Sequence, residues 1–295
     1  MINLFRAENK MKRLYRPPHE SNSYEYRFLE DLSTGYSFYL RDEKPQQDFF
    51  TIEPKGCNLF QLIEKSYMYD FSDDFEKIIE NITYDLVVYG RAYAFLHPLK
   101  NQGASMELES IEIYGLKGFI QKKDKSQVIF YVKRGDENAE KKIIPRNQLI
   151  EFDLKDMGYK RHYFRSIIKK LGKCDYTAEL LKMPISNPGY DYLDHKEKSK
   201  ICELKILRDI GWFMSIDGLS DSYIFHKRMQ FNKLRIRFLT YILGRINNAL
   251  KSMEYVCDGE IVAHIKSIDY DELWQEYSDG KITGSKLNSI LSVCH

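Results

Sequence analysis

The stretch of the sequence with the most chemical character is an acidic-x-lysine triplet. Glu151, Asp153 and Lys155 alternate with apolar residues, so an extended backbone would place the three side chains on one face. Two carboxylates can hold Mg²⁺, and a nearby lysine helps to activate a water molecule. The preceding segment, 145–147 (Pro-Arg-Asn), lacks the further carboxylate that this chemistry would require. The pattern indicates either metal-dependent phosphodiester hydrolysis or a charged strand end.

Other residue types that carry chemistry are scattered. The seven histidines include no i, i+4 pair, and neither a glycine-rich nucleotide loop nor a G-x-S-x-G turn occurs. Residues 191–195 (DYLDH) combine two carboxylates with a histidine, and we expect them to lie in a loop. The five cysteines form no C-x-x-C pair, which favours a reducing setting without a disulfide framework or zinc site. We therefore predict no catalytic residue, no metal and no cofactor.

The clearest local charge asymmetry lies on a long helix predicted over 222–254. Apolar residues recur there at helical spacing, and no acidic residue occurs between Asp221 and Glu254. The same interval carries seven cationic side chains: Lys227, Arg228, Lys233, Arg235, Arg237, Arg245 and Lys251. Such a helix can face DNA phosphates or an acidic neighbouring subunit, or it can present a solvated face.

A helix that runs directly into a strand organises the rest of the chain. Ser72 is expected to cap this helix, and apolar residues recur at helical spacing over 75–89. Gly90 suits a C-cap that needs a positive φ. Small and large residues then alternate over 91–97, which favours a strand covered on both faces and ended by Pro98.

The remaining segments predict short elements of both types, so the fold class is α+β. Residues 91–154 are predicted to form a meander of four or five strands packed on the preceding helix, with a strong strand over 127–133 and a break at 115–118. Further strands are predicted at 36–40 and 261–265. Further helices are predicted over 58–69, 163–171, 176–181, 196–216 and 270–277, the last of them capped by Asp269.

The composition is that of a folded chain with no global charge bias. Hydrophobic residues make up 43% of the 295 residues, which is enough for a core, and the net charge of +2 means that any basic surface is local. No stretch approaches about 18 uninterrupted apolar residues, so we expect no membrane span. Charges inside the first apolar run argue against a signal peptide. The basic residues 1–22 can form an arm on a neighbour or a frayed terminus.

Two stretches around the central helix carry a family resemblance. Residues 85–94 (DLVVYGRAYA) resemble the D-L-L-x-Y-G-N-A-Y pattern of bacteriophage portal proteins, and 144–152 (IPRNQLIEF) resemble the I-x-x-x-x-I-I-H close of the portal wing. The positions that carry this signature are Phe75, Asp85, Leu86, Gly90, Ala92 and Tyr93. Arg91 stands where the family often has Asn, and Glu151 where it often has His. The chain has no counterpart of the Ser-Pro segment that follows the wing, and it is short for a portal.

The resemblance implies a structural role. Portals form a ring of about twelve subunits at one capsid vertex, through which double-stranded DNA is packaged and ejected. The partners implied are further copies of this chain, double-stranded DNA bound without sequence preference, the terminase large subunit, and the capsid and head–tail connector proteins. No membrane is implied. The location implied is the virion, at the portal vertex, or the host cytoplasm before assembly.

This interpretation divides the chain into four consecutive parts. They are an N-terminal arm (1–57), a wing-like α/β domain (58–157), a helical stem- or channel-like region with the basic helix (158–256) and a small C-terminal α/β segment (257–295). In this scheme the cations of the basic helix line the DNA channel or contact a neighbouring subunit. Two alternatives stay open: a DNA- or partner-binding module built on that helix, and a Mg²⁺-dependent nuclease of the PD-(D/E)xK type.

Overall fold

The fold is α+β. The computed structural model describes residues 23–41, 48–64, 70–100, 108–124, 126–132, 140–174, 191–213, 220–253 and 258–291. The helices are α1 (Ser23–Ser33), α2 (Tyr36–Leu40), α3 (Asn58–Glu64), α4 (Phe71–Tyr89), α5 (Tyr163–Leu171), α6 (Tyr192–Ile210), α7 (Asp221–Lys251), α8 (Tyr270–Ser278) and α9 (Gly284–Leu291). The strands are β1 (Phe50–Glu53), β2 (Arg91–Lys100), β3 (Leu108–Leu116), β4 (Gly118–Lys123), β5 (Gln127–Val132), β6 (Glu140–Pro145), β7 (Leu149–Asp153) and β8 (Glu260–Ala263).

The described residues group into two compact units, each assembled from separate stretches of chain. The first unit takes its residues from Gln46–His162 and Leu239–His264. The second takes them from Pro17–Pro45, Tyr163–Phe238 and Ile265–His295. The long helix α7 therefore contributes its first part to the second unit and its last part to the first. The four consecutive domains expected from the sequence stay a prediction.

Helix α4 forms the centre of the first unit. The helix begins at Phe71, and its N-cap is Asp70 where Ser72 was expected. The Asp70 carboxylate accepts hydrogen bonds from the backbone N–H groups of Ser72 and Asp73 at 2.8 and 3.3 Å. The Ser72 hydroxyl is buried instead and accepts from the backbone N–H of Phe50 at 3.0 Å. The expected cap was wrong by two residues, and the serine serves a contact with strand β1.

The predicted left-handed end of α4 is confirmed, since Gly90 has φ 75° and its N–H bonds to the Leu86 carbonyl. The chain enters β2 at once, and β2 is the middle strand of an antiparallel sheet with the order β3-β2-β7. Pro98 does not end β2, which continues to Lys100. Strand β7 pairs only with residues 91–95, so β2 is an edge strand at Pro98, where a proline is tolerated.

The predicted single meander is wrong, because the strands after β2 divide between two sheets. Strands β4, β5 and β6 form a second antiparallel sheet, and β7 then returns to pair with β2. The break falls at Lys117 alone, since Gly115 still lies in β3 and Gly118 already starts β4. Tyr93 of the first sheet and Phe130 of the second pack edge to face, with ring centroids 5.0 Å apart.

A two-stranded sheet and the last part of α7 complete the first unit. Strands β1 and β8 pair antiparallel, which confirms most of the predicted 261–265 strand. Helix α7 buries Ile242, Ile246 and Leu250 here. The side chain of Asn247 bonds to both the N–H and the carbonyl of Ile261, each at 2.9 Å, and so holds β8 against the helix.

The secondary-structure elements described for the second unit are all helices. Residues Tyr36–Leu40 form helix α2 and not the predicted strand, with Tyr36 and Leu40 buried at i, i+4 spacing. Helix α6 starts at Tyr192, four residues before the predicted start, and ends at Ile210, before the predicted end. Asp269 caps α8 as predicted.

Several predictions lie outside the described residues: the arm over 1–22, the helix over 176–181 and the end of the helix over 58–69. In the part of the chain that is described, no helix combines the length and apolar character needed to cross a membrane.

Candidate functional site

Arg235, one of the seven cations of the predicted site, is a core residue of the second unit with only 4% of its surface exposed. Its guanidinium carbon lies 3.5 Å from the ring centroid of Tyr39 and 4.7 Å from that of Phe231. The guanidinium also donates to the backbone carbonyl of Asp31, with its Nε at 2.7 Å. Burial lowers the pKa of Arg235, while Tyr39 and Asp31 oppose that shift. Arg235 therefore connects α7 to α1 and α2.

Lys227 is also buried in the second unit and serves a helix end. Its ammonium donates to the Arg208 carbonyl and to the side chain of Gln230, each at 2.8 Å. Arg208 lies in the last turn of α6, where carbonyl groups lack helical partners and a cation is favourable. Burial lowers the pKa of Lys227.

The remaining predicted cations lie nearer the surface. Lys233 pairs with Asp271 at 2.7 Å in the second unit. In the first unit Arg245 donates to the Glu151 carbonyl at 2.8 Å, and Lys251 pairs with Glu260 at 2.9 Å. Arg228 is half-buried and Arg237 is exposed.

Most cations of the helix that looks uniformly basic in sequence are engaged by neighbouring groups. Five of the seven cations bind carbonyl or carboxylate groups of the same unit. Two of these five, Lys227 and Arg235, are buried. A DNA strand or a neighbouring subunit would meet a surface less charged than the sequence suggests.

The acidic triplet gives the densest polar cluster of the first unit, and it is centred on Asp153. Arg161 binds this carboxylate with its Nε, 2.8 Å from Oδ2, and with a second nitrogen. Arg91 lies 3.4 Å from the same oxygen, and the backbone N–H of Lys155 donates to Oδ1 at 3.1 Å. Burial alone would raise the pKa of Asp153, but the hydrogen bond from Arg161 and these other contacts lower it below its usual value.

Tyr241 of α7 joins this cluster from the opposite side. Its hydroxyl accepts from the backbone N–H of Asp153 at 2.9 Å and donates to the Asp156 carboxylate at 3.0 Å. Burial and the hydrogen bond to Asp156 raise the pKa of Tyr241 to about 12. Neither Arg161 nor Tyr241 belongs to a short motif, so no signal in the sequence indicated their part in this cluster.

The predicted common face of Glu151, Asp153 and Lys155 is wrong for the lysine. Strand β7 ends at Asp153, which caps a 3-10 helix over Leu154–Met157, so Lys155 lies on helical backbone. Among the described residues no three His, Cys, Asp or Glu side chains are arranged to hold a metal ion. The other interpretation of the triplet was a charged strand end. The contacts of Asp153 with Arg161, Arg91 and the 3-10 helix are those of a charged residue at the end of a strand.

The signature positions of the family resemblance lie inside the first unit. Phe75, Leu86, Ala92 and Tyr93 are buried, and Gly90 forms the left-handed helix end. A Cβ atom at Gly90 would collide with the carbonyl oxygen of Arg161, so close backbone packing also requires glycine there.

Asp85 differs from the other signature positions, because it places a carboxyl group in the core of the first unit. Among the described residues its Oδ1 has no hydrogen-bond partner. Burial raises the pKa of Asp85 to about 7, and Lys117 opposes that shift.

Residues 191–195 do not form the predicted loop. Asp191 caps α6 and accepts from the N–H groups of Leu193 and Asp194 at 2.9 and 3.1 Å. A cleft of about 500 Å³ opens beside this turn, lined by residues of the second unit: Lys170, Lys173, Cys174, Asp191, Asp194, His195, Lys198, Ser199 and Cys202. From Asp191 onward the lining residues recur every three or four positions, which is typical of one face of a helix. This spacing is the sequence feature from which the cleft could have been predicted.

No model of a known protein family matches this chain, and no curated protein matches it.

Proposed function

We propose that the chain is a portal-like structural protein whose first unit is a wing and which assembles into a ring around double-stranded DNA. One observation carries the proposal. The two stretches that resemble the portal wing pair with each other as neighbouring strands, with Ala92 opposite Phe152, Tyr93 opposite Glu151 and Ala94 opposite Ile150. Residues far apart in sequence that resemble one family thus form one local structure, entered from α4 through Gly90.

The polar chemistry of the first unit supports a role in shape. Asp153, Arg161 and Tyr241 satisfy one another and fix the end of the β2–β7 pair against α7. Hydrogen-bond networks of this kind help to make a local structure rigid and specific. Rigid subunits suit a closed ring, in which each copy contacts the next by the same surface.

The two alternatives have less support from these contacts. A nuclease needs carboxylates free to hold Mg²⁺, whereas the Asp153 oxygens are engaged by Arg161 and by the Lys155 N–H. A free-standing DNA-binding module needs exposed cations, whereas Arg235 and Lys227 are buried.

In the proposed ring DNA contact is weak and independent of sequence. The terminase large subunit and the capsid and head–tail connector proteins are the further partners.

Native mass spectrometry with negative-stain imaging of the purified full chain, at low and moderate salt, tests the proposal. We expect closed rings of about a dozen subunits with a central hole. Rings that survive moderate salt would show that subunit contacts do not depend on screened surface charge. A monomer or dimer at every protein and salt concentration would contradict self-assembly. Steeply salt-dependent DNA binding by such a monomer would favour the DNA-binding module.

A further inference from the structure

The cleft of the second unit holds two cysteines that the proposed function does not use. Cys174 follows α5 and is 1% exposed, and its Sγ lies 3.3 Å from the Lys170 carbonyl oxygen and 3.9 Å from the Ser199 carbonyl oxygen. Cys202 lies on α6 one turn after Ser199, and it is only half-buried. Both cysteines line the cleft, and Cys174 contacts the carbonyl of Ser199, one helical turn before Cys202.

The charges around the cleft favour a small anionic ligand. The Asp194 carboxylate is paired with Lys198 at 2.5 Å, and the Asp191 carboxylate accepts two backbone N–H groups as a helix cap. Lys170 and Lys173 are exposed at the rim, and among the described residues they form no ion pair. A volume of about 500 Å³ is in the range of sites for small molecules. Three lysines face two aspartates in the lining, and an excess of positive charge raises the local concentration of small anions.

We propose that Cys174 and Cys202 form a reversible intramolecular disulfide by exchange with a small anionic disulfide, of which glutathione disulfide is the example. The Cys202 thiol is the accessible one, so it loses its proton and attacks one sulfur of glutathione disulfide. A mixed disulfide forms on Cys202, and one glutathione leaves as its thiol. Cys174 then loses its proton and attacks Cys202 Sγ, which releases the second glutathione. The protein dithiol is oxidised and one glutathione disulfide is reduced to two thiols.

The environment of the two cysteines sets this order of attack. Cys174 is 1% exposed and Cys202 is half-buried, so an external disulfide reaches Cys202 first and Cys174 attacks only the sulfur placed beside it. Burial and the neighbouring Cys202 also raise the pKa of Cys174, which disfavours direct attack by its thiolate. The bond would join the end of α5 to the middle of α6 and close the chain segment between them. Cross-links of this kind restrict the unfolded chain, and we expect a rise in Tm of roughly 5 °C. The inference concerns the second unit alone and does not depend on ring formation.

Peptide mapping of the full chain tests the proposal. The reduced protein is incubated over a series of ratios of glutathione disulfide to glutathione, free thiols are then blocked, and the peptides are analysed by mass spectrometry. Wild type is expected to give a linked Cys174–Cys202 peptide and no lasting glutathione adduct on Cys202. Cys174→Ser removes the second nucleophile, so it should retain one glutathione on Cys202. Cys202→Ser should lose both products, because Cys174 is buried. Cys57, which is buried in the first unit, provides an internal control in every sample.

The result that overturns the proposal is a stable glutathione adduct on Cys202 in the wild-type chain, or no linked peptide at any ratio. Neither readout depends on a variant, so poor folding of Cys174→Ser would not decide the outcome. Cys174→Ala is the second variant for the trapping step, because it leaves no hydroxyl in the buried position. Removal of glutathione disulfide and addition of excess dithiol should return both free thiols and lower Tm to its starting value.

Discussion

Arg235 stacks on Tyr39, with the guanidinium carbon 3.5 Å from the ring centroid. The pair converts a charge that the sequence suggests is available to DNA into a core contact of the second unit. Because the same guanidinium donates to the Asp31 carbonyl, it satisfies a backbone acceptor as well as packing on a ring. The basic character of α7 is therefore in part a requirement of folding.

Replacement of Arg235 by Met should destabilise the protein by about 3 kcal/mol, because the cation–π contact and the charged hydrogen bonds are lost in a buried place. Urea unfolding followed by circular dichroism measures the change. Arg237→Met on the exposed side of the same helix is the matched control, with an expected change within about 0.5 kcal/mol. Equal and small effects of the two substitutions would contradict a structural role for Arg235.

Substitution by alanine should have opposite effects on stability at Gly90 and at Gly244. Gly90→Ala should cost at least about 2 kcal/mol, because φ is 75° and the new Cβ would collide with the Arg161 carbonyl. Gly244 lies inside α7 with no atom near the site of a Cβ, so Gly244→Ala should stabilise the protein by about 0.5–1 kcal/mol. Thermal unfolding of both variants measures the contrast, and a harmless Gly90→Ala would remove the argument for close packing at this turn.

The sequence predicted the features that depend on neighbouring residues. Gly90 ends an amphipathic helix, and that local pattern was enough to predict a left-handed cap. A strand over 127–133 was predicted from its own β-branched and aromatic residues, and β5 occupies 127–132. Asp269 was predicted as a cap because a helical pattern follows it.

The features that depend on distant residues could not be predicted. Residues 36–40 (YSFYL) have the aromatic content of a strand, but the chain is helical there, with Tyr36 and Leu40 in the core and Arg235 on the ring of Tyr39. Local propensity was overridden by tertiary packing. The partners of Lys227, Arg235 and Asp153 are likewise remote in sequence, and charge alone does not reveal whether a cation faces solvent or a carbonyl.

Substitution of Asp153 and Lys155 separates a structural role from nuclease chemistry. Asp153→Asn should destabilise the protein by about 1–2 kcal/mol, because Arg161 keeps its charge and loses its anionic partner. Lys155→Ala should leave stability unchanged within about 0.5 kcal/mol, since its side chain is exposed. A Mg²⁺-dependent cleavage activity lost in both variants, with the fold of Lys155→Ala intact, would favour the nuclease alternative.

A double-mutant cycle of Asp153→Asn with Arg161→Met tests the cluster further. We expect a coupling free energy of about 1–2 kcal/mol between the two sites, because they share hydrogen bonds. Because the pKa of Asp153 is lowered in the folded state, the stabilisation by the pair is present above the unfolded pKa and disappears as the pH falls through the folded value. The coupling should therefore shrink in acid, and a coupling that is independent of pH would contradict an ion pair.

Asp85 predicts a pH dependence of the opposite sign. Burial raises its pKa from 3.8 to about 7. Between these values the unfolded chain releases the proton while the folded chain retains it, so stability falls as the pH rises from about 4 to about 7 and is then constant. The cost above pH 7 is on the order of a few kcal/mol, since each pKa unit corresponds to about 1.4 kcal/mol.

Asp85→Asn removes the ionisation and should make the protein more stable than wild type at pH 8, while the two differ little at pH 4. Urea midpoints across that range measure the effect. Asp73→Asn, in the exposed first turn of the same helix, is the control and should leave the fall in stability between pH 4 and pH 7 in place. If Asp85→Asn retained that fall, the carboxyl would be ionised in the folded state at ordinary pH, and a neighbour outside the described residues, or a second copy of the chain, would have to stabilise its charge.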